Sequence, residues 1–450
     1  MMRVLAATLA VAAVACSSQG TTETDTPPTL EVTSPARGTL ADSDTVTVTG
    51  RVTDLEGPVK VTVSGTEVTP AQDGTFTASV PVTAGIAMIE THAIDTAGND
   101  VRDVRAVLAG ALAPSDGTAS GQVGARAGVT ALRAVGHAVA TSARAIDYTA
   151  AAQALNPVYN NDGCLGAKIN ITSIALDDVG VDLAPTTDLL STDVTIQNLN
   201  VKASVNYKVA CIGGSTTVKL HADKARIHGD LGLRIAGGSL ATSLPTATVA
   251  FDGFSFDIGG VPGALEDLVK GKVRDGVANA LESTIKSKVP PIADNALAGL
   301  IAKPLTASIL GHDTTIEVSP TQVSITPDEL FVAIDSKLAV AGGEGGTFVT
   351  TATPLSPSMM AGAQGLGIAL DDDLVNQLFA GLWAADAFDQ QISLDSIPAL
   401  GVLLDDDART LDVKLSLPPT ASTDTGDLVL AIGDLIVTAR DEAGNEVQSV

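Results

Sequence analysis

Gly263-Ala264-Leu265-Glu266-Asp267-Leu268-Val269-Lys270 opens the stretch on which the fold of this chain turns. From Gly263 to Ile301 the apolar residues Leu265, Leu268, Val269, Val273, Val277, Leu281 and Ile285 recur three or four apart, which puts them on one face of a helix. Glu266, Asp267, Lys270, Lys272, Arg274, Asp275, Lys286 and Lys288 fall mostly off that stripe, so the predicted helix is two-faced. Pro290-Pro291 is expected to end or kink it, because proline lacks the N–H that closes a helical turn, and a second, shorter helix can follow to Leu300. The stripe could fill an ordinary core or line a cavity; Ala278, Ala280 and the many glycines leave room for the cavity.

Upstream the pattern is that of strands: Ile169-Asn170-Ile171, Val194-Thr195-Ile196, Leu199 to Val209, Thr217 to Leu220, Leu231 to Ile235 and Val249 to Ile258. Glycines interrupt them, and glycine inside a strand often marks the bulges and bends that curl a sheet around something. Before Pro157, the Ala-rich run from Val123 to Leu155 has weak helical spacing. Downstream the same grammar repeats, with strands at Thr315 to Val318, Leu330 to Val340 and Thr347 to Thr350. A helix follows, N-capped by Asp371, with Asp372 and Asp373 at its positive end and Leu374, Val375, Leu378, Phe379 and Leu382 as its apolar side. Strands resume at Gln391 to Leu394, Leu411 to Leu417 and Leu428 to Ala439, and the second unit reads as either abbreviated or lacking its end.

Leu30 to Leu108 shows short period-two segments such as Val59 to Val63 and Phe76 to Val80, separated by turns, the pattern of a small β-sandwich. Thr33-Ser34-Pro35, Val48-Thr49-Gly50, Gly74-Thr75-Phe76 and Ala93-Ile94-Asp95-Thr96-Ala97-Gly98-Asn99 resemble bacterial immunoglobulin-like domains, which implies a spacer that presents a neighbour. Ahead of it, Arg3, the apolar run Val4 to Ala15 and Ala13-Val14-Ala15-Cys16 read as an export signal too short to span a bilayer. The run is similar to the lipobox of bacterial lipoproteins, with Ala13 where Leu is usual; the resemblance implies acylation of Cys16, and Ser17 implies outer-membrane sorting. An ordinary secretory signal with an incidental cysteine is the alternative. The remaining pair, Cys164 and Cys211, is expected to be bridged in an oxidising compartment, the alternative being two free buried thiols.

Three stretches between about Asp147 and Val450 together resemble the bactericidal/permeability-increasing protein family, the tubular lipid-binding superfamily. They are Gly263 to Lys270 with its helix, Gly365-Leu366-Gly367-Ile368-Ala369-Leu370-Asp371-Asp372-Asp373-Leu374-Val375-Asn376-Gln377-Leu378 entering a second helix, and Leu411 to Pro419 followed by Leu428 to Ile432. The resemblance implies that each half packs a helix in a strongly curved antiparallel sheet beside an apolar groove for acyl chains. It makes Leu268, Val269, Val273, Val277, Leu281 and Ile285 the groove-lining residues. The family's single disulfide joins elements other than those bearing Cys164 and Cys211, and the basic tip of its endotoxin-binding members has no counterpart.

Composition narrows the function further. The 450 residues carry a net charge of −26, which repels nucleic acid and disfavours anionic headgroups. Hydrophobic residues make up 45% but aromatics only 3%, so the core is aliphatic. No His-Glu-x-x-His, Gly-x-Ser-x-Gly, phosphate loop or Cys-x-x-Cys occurs, and the expectation is a protein without catalysis, cofactor or metal. His221 and His228 are weak zinc candidates, and Asp371 to Asp373 and Asp405 to Asp407 weak calcium ones that capping and solvated turns explain better.

The predicted architecture is mainly β with long helices (α+β): signal peptide at 1–15, disordered tether at 16–28, immunoglobulin-like sandwich at 29–108, linker at 109–121, and lipid-binding-like units at 122–305 and 306–450. The function expected is an outer-membrane lipoprotein that binds or transfers phospholipid or another acyl-chain lipid, held to the membrane by its N-terminal lipid. A non-catalytic surface adhesion protein of solid β-domains is the alternative, and a carbohydrate-active enzyme a third reading.

Overall fold

The computed structural model describes residues 26–54, 57–260, 263–301, 304–350, 355–360, 365–397, 404 and 407–449. The predicted signal, Cys16, the tether as far as residue 25, Asp405 and Asp406 lie outside them. The chain forms two compact units, the second running from Leu108 to the C-terminus together with Leu40–Asp44 and Thr83–Ala87.

The N-terminal strands are β1 (Thr29–Ser34), β2 (Thr39–Ala41), β3 (Thr45–Thr53), β4 (Lys60–Val63), β5 (Thr66–Val68), β6 (Thr75–Pro81), β7 (Gly85–Ile94) and β8 (Asp100–Ala109). They form sheets in the order β1-β3-β6 and β2-β8-β7-β4-β5, the expected immunoglobulin-like sandwich. Strand β3 shows why: its threonines alternate with Val46, Val48 and Val52, which are buried, as are Val61, Val63 and Ala93 of the other sheet. Gly50 leaves the space that Phe76 fills, since a Cβ there would stand 2.4 Å from its Cζ.

The second unit begins with β9 (Leu112–Pro114), β10 (Thr118–Gly128), α1 (Val129–Ala143) and α2 (Tyr148–Gln153). Strands β11 (Tyr159–Asn160), β12 (Leu165–Ala175), β13 (Asp178–Pro185), β14 (Leu190–Val209), β15 (Ile212–Ala236), β16 (Ser239–Ser243), β17 (Thr248–Asp252) and β18 (Ser255–Ile258) lead to α3 (Gly263–Ile301). Then come β19 (Leu305–Ile309), β20 (His312–Thr326), β21 (Glu329–Val340), β22 (Thr347–Val349), β23 (Leu366–Leu370) and α4 (Asp372–Ala384). Strands β24 (Gln390–Ser393), β25 (Thr410–Leu415), β26 (Thr420–Ser422), β27 (Val429–Ala431), β28 (Leu435–Arg440) and β29 (Glu446–Ser449) complete it.

Several expectations change here. The stretch 109–121 is not a plain linker: β9 pairs with β22, and β10 starts at Thr118, where it pairs with β21, and is flanked by β23 as well from Val123. The Ala-rich run from Val123 is a strand as far as Gly128 and helical only after it, since that ladder outweighs alanine's helix preference. The 305/306 boundary does not separate two sheets either, because β10 precedes α3 yet joins the sheet β19-β20-β21-β10-β23 that follows it. The separate short strands predicted between Val194 and Ile235 are two long ones of 20 and 25 residues; β14 continues past Asn198, which takes φ +51°, and β15 pairs with β14, β16, β17 and β18.

Helix α3 runs unbroken through Pro290 and Pro291 for 39 residues, so the second helix expected after them is its continuation. On either side of the prolines, Val289, Ala293 and Leu297 expose at most 1%. Burying a Val or Leu side chain stabilises by roughly 1.5–3 kcal/mol, so the burial of Val289 and Leu297 together goes far towards offsetting a cost of about 3 kcal/mol for each interior proline. Strand β16 reinforces the site: Thr242 donates its hydroxyl to Pro290 O at 2.9 Å and its N–H to Asp294 Oδ1. The helix packs against α1, α2, β12 and β15 to β17.

Candidate functional site

The sheet β19-β20-β21-β10-β23 carries the feature that matters most. Directly opposed residues of an antiparallel ladder project from the same face. Its register aligns Leu330, Ala127 and Leu366; Val332, Ala125 and Ile368; and Ile334, Val123 and Leu370. Over β21 this face is closed, with Leu330, Val332 and Ile334 exposing 2–3%. On β10 Ala125 and Ala127 are buried. One strand further on the cover ends: Leu366, Ile368 and Leu370 expose 50%, 63% and 58%.

The opposite face is fixed by a buried ion pair between Arg126 and Glu329, whose side chains expose 6% and 10%. Arg126 Nη1 also donates to Met360 O at 2.8 Å, tying the turn at Pro357–Met360 to the sheet. Gly124 lets that turn approach, since a Cβ there would lie 3.0 Å from Met360 Sδ.

Val269, Val273, Val277, Leu281 and Ile285 of α3 come together in one continuous apolar core that also holds Ala125, Ala127, Leu330, Val332 and Ile334. Each of the five exposes at most 1%, and Leu268 is half-buried at the margin. The stripe is thus enclosed, and along the β21-β10-β23 part of this face the apolar side chains left open among the described residues are those of β23. The period-two sequence of Leu366, Ile368 and Leu370 was the available signal for it.

Asp371 caps α4, its Oδ1 accepting from Asp373 N–H at 3.0 Å. The buried side of α4 differs from expectation: Leu374 and Leu382 are enclosed, Val375, Leu378 and Phe379 only partly, and Asn376 and Gln377 are buried among them. Asn376 docks β26 as a strand would, donating from Nδ2 to Ala421 O at 3.1 Å and accepting Ala421 N–H at Oδ1.

Cys164 and Cys211 form a disulfide beside the β14–β15 hairpin, where Cys211 N–H donates to Cys164 O at 3.2 Å. His221 and His228 contact Asn200 and Asp193 of β14. Among the described residues no group of three or more His, Cys, Asp or Glu is placed to hold a metal ion, and no helix is long and apolar enough to cross a membrane.

Residues 28–110 match the family model of glucodextranase, domain B. Among solved structures, lipopolysaccharide binding protein is similar at a TM-score of 0.43 with 13% identity, over 73% of this chain and 77% of that one. Latherin gives 0.22 and 13%, covering 37% and 82%. The fibronectin(III)-like modules of Clostridium thermocellum CbhA give 0.16 and 12%, covering 42% and 92%. No curated protein matches this chain.

Proposed function

We propose that this is an exported lipoprotein, anchored through acylated Cys16, whose immunoglobulin-like domain presents a module that binds phospholipid or another acyl-chain lipid. The observation that carries the reading is the apolar sheet face that is covered over β21 and β10 and bare on β23. A hydrocarbon chain laid along Leu366, Ile368 and Leu370 would continue the core outward and remove apolar area from water, at roughly 25 cal/mol per Å². Leu268, Val269, Val273, Val277, Leu281 and Ile285 then fill or border the core that Leu330, Val332 and Ile334 share, and in this reading they do not touch the lipid.

Lipid extraction and mass spectrometry of the purified chain, together with titration of a fluorescent fatty acid, test the reading. Co-purifying acyl lipid and saturable probe binding are expected, with binding at least tenfold weaker in Ile368→Asp. That substitution falls on an exposed side chain, so the fold survives it. An empty protein that takes up no probe, or a variant that binds as the wild type does, overturns the proposal. The enclosed core under α3 favours the second reading, a surface interaction protein of solid β-domains, which the same result would leave standing.

A further inference from the structure

The net charge of −26 is unevenly spread along this chain. Between residues 306 and 450 the basic side chains are Lys337, Arg409, Lys414 and Arg440, set against Asp371 to Asp373, Asp405 to Asp407 and many single acids. Three stretches that lie side by side in the β12-β14-β15 ladder, 165–175, 199–209 and 212–222, reverse the balance: they hold no acidic residue and carry Lys168, Lys202, Lys208 and Lys219. All four lysines are exposed. Val201, Ala203, Val218 and Leu220 are buried beneath them, so the alternate side chains of β14 and β15 face out.

Lys202 and Lys219 stand directly opposite one another in the β14–β15 register. Like charges so placed repel and weaken the ladder. The next strand, β18, sets Asp257 opposite Lys219, with Lys219 Nζ 3.4 Å from Asp257 Oδ2. That pair is 61% and 73% exposed, in the range where a surface ion pair contributes little. Lys202 forms no ion pair among the described residues. The two ammonium groups border a groove of about 290 Å³ that Asn200, His221, Ser255 and Asp257 also line. The His221 ring is already held, by Asn200 Oδ1 at 3.1 Å and Asp223 Oδ1 at 3.3 Å, so it forms a wall; Ser255, opposite it, brings an exposed hydroxyl.

We propose that this groove binds a phosphate monoester, whose dianion bridges Lys202 and Lys219 and accepts the Ser255 hydroxyl. A monoester carries close to two negative charges at neutral pH, enough to offset both ammonium groups, whereas a diester or a carboxylate carries one. Asp257 competes with the ligand for Lys219 and is displaced as it binds. The groove lies on a different sheet from β23, so the site stands or falls independently of acyl-chain binding.

Calorimetric titration of the full exported chain at fixed ionic strength and pH 7.5 with glycerol phosphate and with dimethyl phosphate tests this, beside co-sedimentation with phosphatidylcholine vesicles that contain phosphatidic acid. Glycerol phosphate is expected to bind saturably and dimethyl phosphate about fivefold or more weakly. Lys202→Ala and Lys219→Ala should each weaken the monoester about fivefold or more, and Asp257→Asn should tighten it about twofold or more, all three at exposed positions that leave the circular dichroism unchanged. Ile368→Asp should leave monoester binding as in the wild type. Binding of the soluble ester identifies a free phosphate compound as the ligand; binding of the vesicles alone, with the same dependence on Lys202, identifies a lipid headgroup. Failure of both probes, equal binding of the diester, or a Lys202→Ala variant that binds as the wild type does would each overturn the assignment.

Discussion

Asp95 and Asp441 head two copies of one turn, Asp-x-Ala-Gly-Asn, and in both the carboxylate accepts the backbone N–H of the Asn four residues on at 2.8 Å. Gly98 and Gly444 supply φ of +95° and +85°, as a hairpin corner requires. The side-chain hydrogen bond from Asn445, and then backbone N–H groups, hold the Asp441 carboxyl below its usual value. A depressed folded-state value contributes stability above the unfolded pKa of about 3.9, and loses it as the pH falls through the folded value. Asp441→Ala should therefore cost more in urea unfolding at pH 6 than at pH 3; equal cost at both would show that the charge is irrelevant. These turns were readable from residue types alone. Asn376 and Gln377 were not, because a polar side chain on a helix is assigned to solvent unless its partners, here Ala421 and Gly117 from distant segments, are known.

Helix α3 and helix α1 each contain a glycine whose replacement separates propensity from packing. Gly271 is exposed and nothing lies within 4 Å of a Cβ built there, so Gly271→Ala should raise stability by about 0.5–1 kcal/mol. Gly136 in α1 faces β13, where a Cβ would stand 2.7 Å from Val181 O. Backbone cannot yield as a side chain does, so Gly136→Ala should lose about 1–3 kcal/mol despite the same gain in propensity. Thermal unfolding of the two variants checks both signs. At this scale the helical stripe from Leu265 to Ile285 was legible because a 3.6-residue period survives any partner. The continuity of α3 through Pro290 was not, since it depends on Thr242 and on the burial of Val289 and Leu297. Nor was the length of β15, because the glycines at 213, 214, 229 and 232 look like breaks yet sit inside a ladder. The turn before it uses Ala210 and Cys211 at φ +49° and +69°, without glycine.

For the molecule as a whole, the disulfide joins residues 47 apart in the chain and encloses the whole of β12, β13 and β14. On the chain-entropy estimate such a crosslink stabilises by about 4 kcal/mol, so Cys164→Ser with Cys211→Ser should lower the free energy of unfolding by a comparable amount and make the wild type sensitive to dithiothreitol. An unchanged urea midpoint would contradict this. The two cysteines were legible as a pair by subtraction of Cys16. The division of the chain was less so, because composition reveals where strands occur and not which ones are neighbours.

Strand β10 shows what that neighbourhood entails in time. During translation it emerges roughly 200 residues before β21, and later still meets β23, the two strands that flank it. Throughout that interval both its edges are open to any passing backbone. Its own composition answers the hazard: Ala119, Gly121, Gly124, Ala125, Ala127 and Gly128 offer almost nothing greasy to hold an intruder, so the segment can wait unpaired without becoming a seed for clumping.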